Sequence, residues 1–121
     1  MQDFRKLKVW EKAHDLTLSV YRISKNFPDD EKYGLISQLR RATSSIPINI
    51  AEGCGRISKK DFMNFLHISF ASASEVDYTL MLSKDLGYIS IEDYIPLQEQ
   101  IEEIKRMLSA LIETIKNTVN C

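Results

Sequence analysis

Apolar residues recur at alternating steps of three and four positions in four separate stretches of this 121-residue chain. This spacing places them on one face of an α-helix and leaves the opposite face polar. The first and last stretches carry Val9, Ala13, Leu16, Val20, Ile23 and Phe27, and Leu97, Ile101, Ile104, Leu108, Leu111 and Ile115. Since no stretch alternates with the period of a strand, the pattern predicts four amphipathic helices.

Turn and capping residues separate these helices. Pro28 ends the first helix, and Asp29 or Asp30 is expected to cap the second. The run Gly53-Cys54-Gly55 is expected to end the second helix by permitting a left-handed cap. The other boundaries are marked by Ser58 with Asp61, Gly87, and Ser90 with Asp93. Because the connections are short, neighbouring helices should run antiparallel, which predicts an all-α, up-down four-helix bundle forming a single domain over residues 1–121.

The two middle helices depart from a simple bundle pattern. Pro47 lies inside the second helix, whose apolar face carries Leu35, Leu39, Ala42 and Ile46. A proline there removes the backbone hydrogen bond to Thr43, so a kinked second helix is predicted. The third helix has two apolar or small faces, which are Phe62, Leu66, Ser69, Ala73, Val76 and Leu80, and Phe65, Ile68, Ser72, Thr79, Leu82 and Leu86.

The second face of the third helix predicts self-association. A bundle helix needs one apolar stripe, so a further stripe suggests that another subunit covers part of it. Small side chains in this region would let a neighbouring helix approach closely. The predicted interface residues are Ser69, Phe70, Ala71, Ser72 and Ala73.

Charge is distributed unevenly along the chain, although the net charge is only −1. Residues 1–60 carry twelve Lys/Arg against seven Asp/Glu, and residues 61–121 carry four against ten. A basic face that contacts phosphates is one interpretation of this asymmetry, and an ordinary solvated face is the other. The candidate nucleic-acid-binding residues are Arg40, Arg41, Arg56, Lys59 and Lys60.

Catalytic and cofactor signatures are weak. The stretch from Glu11 to His14 matches half of a bundle di-metal motif, but His67 has no glutamate three residues before it. Cys54 has no histidine near it in sequence, so a small apolar filler is the better interpretation. We therefore predict no enzyme activity, no metal and no cofactor. No apolar run reaches membrane-spanning length and no export signal is visible, so Cys54 and Cys121 are expected to be reduced thiols in the cytoplasm.

Three polar residues near the end of the second helix share one face. Asn49, Glu52 and Arg56 are spaced by three and four positions, so their side chains project in nearly the same direction. We interpret them as a structural polar network that fixes helix register or a subunit contact. A ligand or nucleotide site at the end of the bundle is the functional alternative.

Several motifs together resemble one family. They are Leu7-Lys8-Val9-Trp10, Phe27-Pro28, Gln38-Leu39-Arg40-Arg41-Ala42, Ser45-Ile46-Pro47-Ile48-Asn49-Ile50-Ala51-Glu52-Gly53, Gly55-Arg56 and Phe62 with Phe65-Leu66 and Ile68. Over roughly residues 7–90 the chain resembles the bacterial four-helix-bundle proteins encoded in 23S rRNA intervening sequences. The accessory variability proteins of diversity-generating retroelements are similar in fold. The resemblance implies a ring-like homopentamer, and in the retroelement relatives a basic surface that binds nucleic acid and a reverse transcriptase.

Three functional hypotheses follow from these observations. The first is a non-enzymatic oligomeric scaffold that binds RNA or a ribonucleoprotein through its basic residues. The second is a protein–protein adaptor with no nucleic-acid role, and the third is a bundle that holds a metal or small ligand. A salt-dependent RNA affinity would distinguish the first from the second.

Overall fold

The structure is a computed structural model that describes residues 2–119, with side chains through Thr118; Cys121 lies outside the described residues. Four long helices and two short 3₁₀ turns make up the described chain, and no strand occurs within it. The helices are α1 Lys8–Ser24, α2 Leu35–Cys54, α3 Lys59–Asp85 and α4 Ile91–Val119, and the 3₁₀ turns are Phe4–Lys6 and Asp29–Glu31. The predicted all-α fold is confirmed.

The helices form a square, antiparallel arrangement. α1 packs against α2 and α4, and α3 packs against the same two helices, while no Cα atoms of the diagonal pairs lie within 8 Å of each other in the described part of the chain. The predicted apolar faces form the core, including Leu16, Leu39 and Leu66, each fully buried. On α4 the core position falls on Ile112 rather than Leu111, because a straight helix drifts away from a strict heptad spacing.

Three helix boundaries match their sequence signals. The Oγ atoms of Ser58 and Ser90 accept hydrogen bonds from the backbone N–H groups three residues later, at 3.0 and 3.2 Å. Gly87 has a φ of +83°, and α3 ends there in a Schellman arrangement. In that arrangement Gly87 N–H bonds to Lys84 O and Tyr88 N–H to Ser83 O, both at 2.9 Å.

The prediction that Asp29 or Asp30 caps α2 is wrong. Asp29 and Asp30 lie in the 3₁₀ turn, five residues or more before α2 begins at Leu35. The carboxylate that satisfies the helix start belongs to Glu31, whose Oε1 accepts a hydrogen bond from Leu35 N–H at 3.1 Å. The 3₁₀ turn delays the helix, which places the aspartates too far from its first free N–H groups.

The predicted left-handed cap at the end of α2 is also wrong. Gly55 has a φ of −80°, and Gly53 lies inside the helix. A Cβ atom added to Gly53 would lie 2.7 Å from Phe62 Cδ1 and 3.0 Å from Phe65 Cβ. Gly53 therefore allows α2 and α3 to approach closely just before the corner that joins them.

Pro47 lies inside α2, as the sequence indicated, and the structure shows that it is buried. Because proline has no N–H, Thr43 O lacks its usual hydrogen bond within the helix. The Thr17 hydroxyl of α1 donates to that carbonyl instead, at a long distance of 3.4 Å. The same hydroxyl makes a shorter hydrogen bond, 2.8 Å, to Ala13 O in its own helix. The kink at Pro47 stays a prediction. A second internal proline, Pro96 in α4, was not singled out from the sequence.

Candidate nucleic-acid interface at one end of the bundle

Three parts of the chain meet at one end of the bundle. They are residues 2–8, residues 54–61 and the last turns of α4. Gln2 N–H donates a hydrogen bond to Cys54 O at 3.1 Å, and Gln2, Cys54 and Thr118 line a common cleft. We call residues 2–8, 54–61 and 114–118 the basic end. Its acidic residues are Asp3 and Asp61. Its basic residues are Arg5, Lys6, Lys8, Arg56, Lys59, Lys60 and Lys116.

Three of the five candidate cations, Arg56, Lys59 and Lys60, lie exposed at this end. Lys59 and Lys60 are the first two residues of α3 and form no ion pair with the described residues. The helix dipole is positive at that position, so the lysine charges add to its field instead of compensating it. Arg56 Nη2 lies 3.8 Å from Glu52 Oε2, a long and solvent-screened pair.

The other two candidates lie elsewhere. About 21 Å of helix separates Arg40 from Cys54, the last residue of α2, and Arg56 lies two residues beyond that end. Arg40 joins α2 to α1, since its Nε donates to Ser24 Oγ at 2.8 Å and its Nη2 donates to Tyr21 O at 3.2 Å. Arg41 is exposed and donates to Ser37 Oγ at 3.3 Å. The structure thus divides the five candidates into two groups.

A cleft of about 340 Å³ opens at the basic end. Its lining includes the polar residues Arg56, Ser58 and Lys59 and the apolar residues Phe62, Leu111 and Ile115. Ile57 also lines this cleft. It is 95% exposed, the highest value among the exposed large apolar residues of the described chain. Sequence analysis missed Ile57 because it belongs to no apolar face.

The thiol of Cys54 borders the cleft but is only 2% exposed. Burial raises the pKa of this thiol, and the nearby Asp3 carboxylate raises it further. The thiol therefore stays protonated at neutral pH, which is the state of a packing residue and not of a nucleophile.

The polar residues Asn49, Glu52 and Arg56 fall into two separate groups. Asn49 Nδ2 donates to Ser45 O at 2.8 Å and to Ser45 Oγ at 3.0 Å. Ser45 Oγ lies 2.9 Å from Ser72 Oγ, so this group links α2 to α3. Within the described chain no hydrogen bond joins Asn49 to Glu52 or Arg56, which face solvent. The Arg56 guanidinium instead lies 4.7 Å from the centre of the Phe65 ring.

The five predicted interface residues differ in exposure. Ser69 and Ala73 are fully buried within one chain, and Ser69 Oγ donates to Ile46 O at 2.9 Å. Phe70 and Ser72 are half-buried, and Ala71 is exposed. A subunit contact through these residues stays a prediction. The exposed large apolar residues of α3 are Ile68, Tyr78 and Met81, and Leu86, which follows the last residue of the helix, is exposed as well.

The histidine noted in the half metal motif has an aromatic partner. His14 stacks on Trp10 with 5.0 Å between the ring centres and 7° between the planes. Across residues 2–118 no group of three His, Cys, Asp or Glu side chains could hold a metal ion. No helix in that same part of the chain is long and apolar enough to cross a membrane.

These features define a class: small antiparallel four-helix bundles with an exposed cationic end. The sequence pattern of the 23S rRNA-intervening sequence proteins matches residues 5–110, and the chain belongs to that family. A crystal structure from Bacteroides thetaiotaomicron VPI-5482, described as a protein with unknown function from the S23 ribosomal protein family, is similar to it. The two are 28% identical with a TM-score of 0.78, over 86% of this chain and 97% of that one. Comparison with curated proteins gives no match.

Proposed function

We propose that this protein is a non-enzymatic scaffold that assembles with copies of itself and binds RNA or a ribonucleoprotein through the basic end. The observation that carries the proposal is the group formed by Arg56, Lys59 and Lys60, three exposed cations beside an open cleft. Within the described residues, Lys59 and Lys60 form no ion pair, and Arg56 makes only the long contact to Glu52 and the contact to the Phe65 ring. Phosphate groups are the partners that such a cluster favours.

Two of the side chains that could serve chemistry, Cys54 and His14, contact other groups of the chain. The Cys54 thiol is buried and protonated, and the His14 ring lies flat against Trp10. The buried hydroxyls of Thr43, Thr79 and Ser83 donate to backbone carbonyls one turn earlier. A scaffold role agrees with these uses better than nucleophilic or acid–base catalysis does.

Self-association is supported by the exposed apolar residues of α3. Ile68 is 47% exposed and Tyr78 57%, on a helix that already contributes a full face to the core. The family resemblance implies a homopentamer, which would have a mass of about 70 kDa given the 14.0 kDa chain. Light scattering at tens of micromolar tests this, and a monomer at that concentration would remove the scaffold proposal.

RNA binding is tested by the salt dependence of affinity. We expect Lys59→Gln/Lys60→Gln to weaken binding of single-stranded RNA and to reduce the slope of log K against log salt by about 1.4. Lys25→Gln/Lys32→Gln is the matched control, because both residues are exposed, the charge change is equal, and they lie at the opposite end. Equal effects of the two variants would contradict a localised site, and no RNA affinity at low salt would contradict RNA binding altogether.

Arg41→Gln examines whether the two groups of cations act as one surface. Arg41 is exposed and its contact to Ser37 lies within α2, so the fold should tolerate the change. We expect RNA affinity within about twofold of the unmodified protein, since about 20 Å of helix separates Arg41 from Cys54, the last residue of α2, and Arg56 lies beyond it. A loss as large as that of the lysine pair would show that the whole length of α2 contacts RNA.

A protein–protein adaptor is the second candidate, and one observation favours it. A groove of about 330 Å³ between α1 and α2 is lined mainly by apolar groups, including Trp10, Pro47 and Ile48. Ile48 is 55% exposed. An adaptor would use this groove, and its binding to a partner would persist at high salt where phosphate contacts are lost.

A further inference from the structure

We propose that the cleft at the basic end holds one unpaired RNA base, and that Ile57 packs over that base from the rim. This inference rests on the proposed RNA binding and names the kind of RNA that the site takes. It distinguishes a site that reads single-stranded RNA from a surface that only attracts the phosphate backbone.

The lining of the cleft offers both kinds of group that a nucleotide requires. Phe62, Leu111 and Ile115 supply apolar atoms, which suit the face of a base. Arg56, Ser58 and Lys59 supply hydrogen-bond donors, which suit phosphate and base-edge oxygens. A volume of about 340 Å³ lies at the lower end of the range of small-ligand sites, so one base fits and a duplex does not.

Ile57 is the second feature. It is 95% exposed, and the corner between α2 and α3 gains no packing from it. Single exposed apolar residues are common on protein surfaces. Ile57 differs from those because it stands at the rim of the cleft, with Arg56 before it and Lys59 two residues after it. An apolar side chain in this position can contact the face of an unpaired base while the neighbouring cations contact its phosphates, whereas the faces of a paired base are covered by its stacked neighbours.

The local backbone holds these groups in place. Ser58 Oγ caps α3 through the Asp61 N–H, and the Arg56 N–H donates to Gly53 O at 3.0 Å. The Gln2 N–H bond to Cys54 O fixes the amino-terminal segment against the same corner. The corner is therefore a fixed platform, and a bound base would meet side chains that already face the cleft.

The experiment compares affinity for a short single-stranded RNA and for a duplex RNA, measured by anisotropy at one salt concentration. We expect Ile57→Ser to weaken single-stranded binding about fivefold and to leave duplex binding within twofold. The matched control is Ile91→Ser, because Ile91 is also exposed, at 52%, and lies at the opposite end of the bundle. Lys59→Gln/Lys60→Gln should weaken both RNAs, since phosphates are common to them.

The possible results separate this inference from the proposed function. If Ile57→Ser binds both RNAs as the unmodified protein does while the lysine variant weakens both, the base site is overturned and RNA binding stands. If the unmodified protein binds neither RNA, the proposed function fails and the base site fails with it. A selective loss of single-stranded affinity in Ile57→Ser, with Ile91→Ser unchanged, supports the inference.

Discussion

The two ends of the bundle are built in different ways. At the end opposite the basic end, the α1–α2 connection and the α3–α4 turn are held together by Glu31. Its Oε2 accepts a hydrogen bond from the Tyr88 hydroxyl at 2.9 Å, and its Oε1 accepts one from Leu35 N–H at 3.1 Å. The Tyr88 ring also contacts Phe27, with 5.4 Å between ring centres. We call this arrangement the Glu31 latch.

At the basic end, no side chain among residues 2–118 links two connections in the way that Glu31 does. The cations of this end face solvent, its cleft is open, and Ile57 has almost no contact with the chain. The corner between α2 and α3 is instead held by the close approach at Gly53 and by the Ser58 cap. A side chain thus joins two connections at one end, while Arg56, Lys59 and Lys60 stay exposed at the other.

The largest effect is expected from Gly53→Val, which breaks the packing that supports the basic end. The first added carbon alone would lie 2.7 Å from Phe62 Cδ1 and 3.0 Å from Phe65 Cβ. We expect a loss of about 2–3 kcal/mol in the free energy of unfolding, measured by urea denaturation, because the Phe62 ring is buried and must move.

Gly55→Ala is the matched control for that substitution. Gly55 is exposed with a φ of −80°, and an added Cβ would be 3.4 Å from Glu52 O, an ordinary contact. The free energy of unfolding should stay level or rise by about 0.5 kcal/mol. If the free energy of unfolding fell strongly in Gly55→Ala and not in Gly53→Val, the left-handed cap predicted from the sequence would be correct after all.

A smaller effect is expected from Glu31→Ala, which removes the Glu31 latch. The variant leaves Leu35 N–H without its cap and the Tyr88 hydroxyl without its acceptor. We expect the free energy of unfolding to fall by about 1–2 kcal/mol. Combining it with Tyr88→Phe in a double-mutant cycle should give less than additive losses, and strict additivity would show that the two residues are not coupled.

The Glu31 latch also predicts a loss of stability at alkaline pH. The hydrogen bond to Glu31 raises the pKa of Tyr88 above its ordinary value of 10.0, and desolvation and the acidic neighbours raise it further. The bond therefore stabilises the fold fully below about pH 10 and is lost as pH rises through the higher folded pKa. Thermal melts from neutral to alkaline pH should show a smaller decline for Tyr88→Phe than for the unmodified protein.

The smallest effect is expected from Glu52→Gln at the basic end. Glu52 is exposed and its 3.8 Å contact to Arg56 is screened, so stability should change by less than about 0.5 kcal/mol. Removing a negative charge beside Arg56 should leave RNA affinity level or raise it. Loss of stability together with loss of assembly would show instead that Glu52 belongs to a subunit contact.

The helices and the core could be predicted from the sequence alone. Apolar spacing along one helix is a local property, so residues such as Leu16, Leu66 and Ile104 were placed correctly in the interior. Ser58, Ser90 and Gly87 also act within a few residues of their own positions, which is why their boundary signals could be recognised. The family was recognised for a similar reason, since its motifs are short and contiguous.

Contacts between residues that lie far apart in the chain were decided only by the tertiary structure. Gly53 needs Phe62 and Phe65 beside it before its role differs from that of a helix stop. Glu31 joins the two connections because it accepts a hydrogen bond from Tyr88, which lies 57 residues later in the chain. Ile57 belongs to no apolar face of a helix. It lines a cleft because the ends of three helices and the amino-terminal segment meet at that place. Local spacing fixes which face of a helix is apolar, whereas a site at the end of a bundle depends on which ends come together.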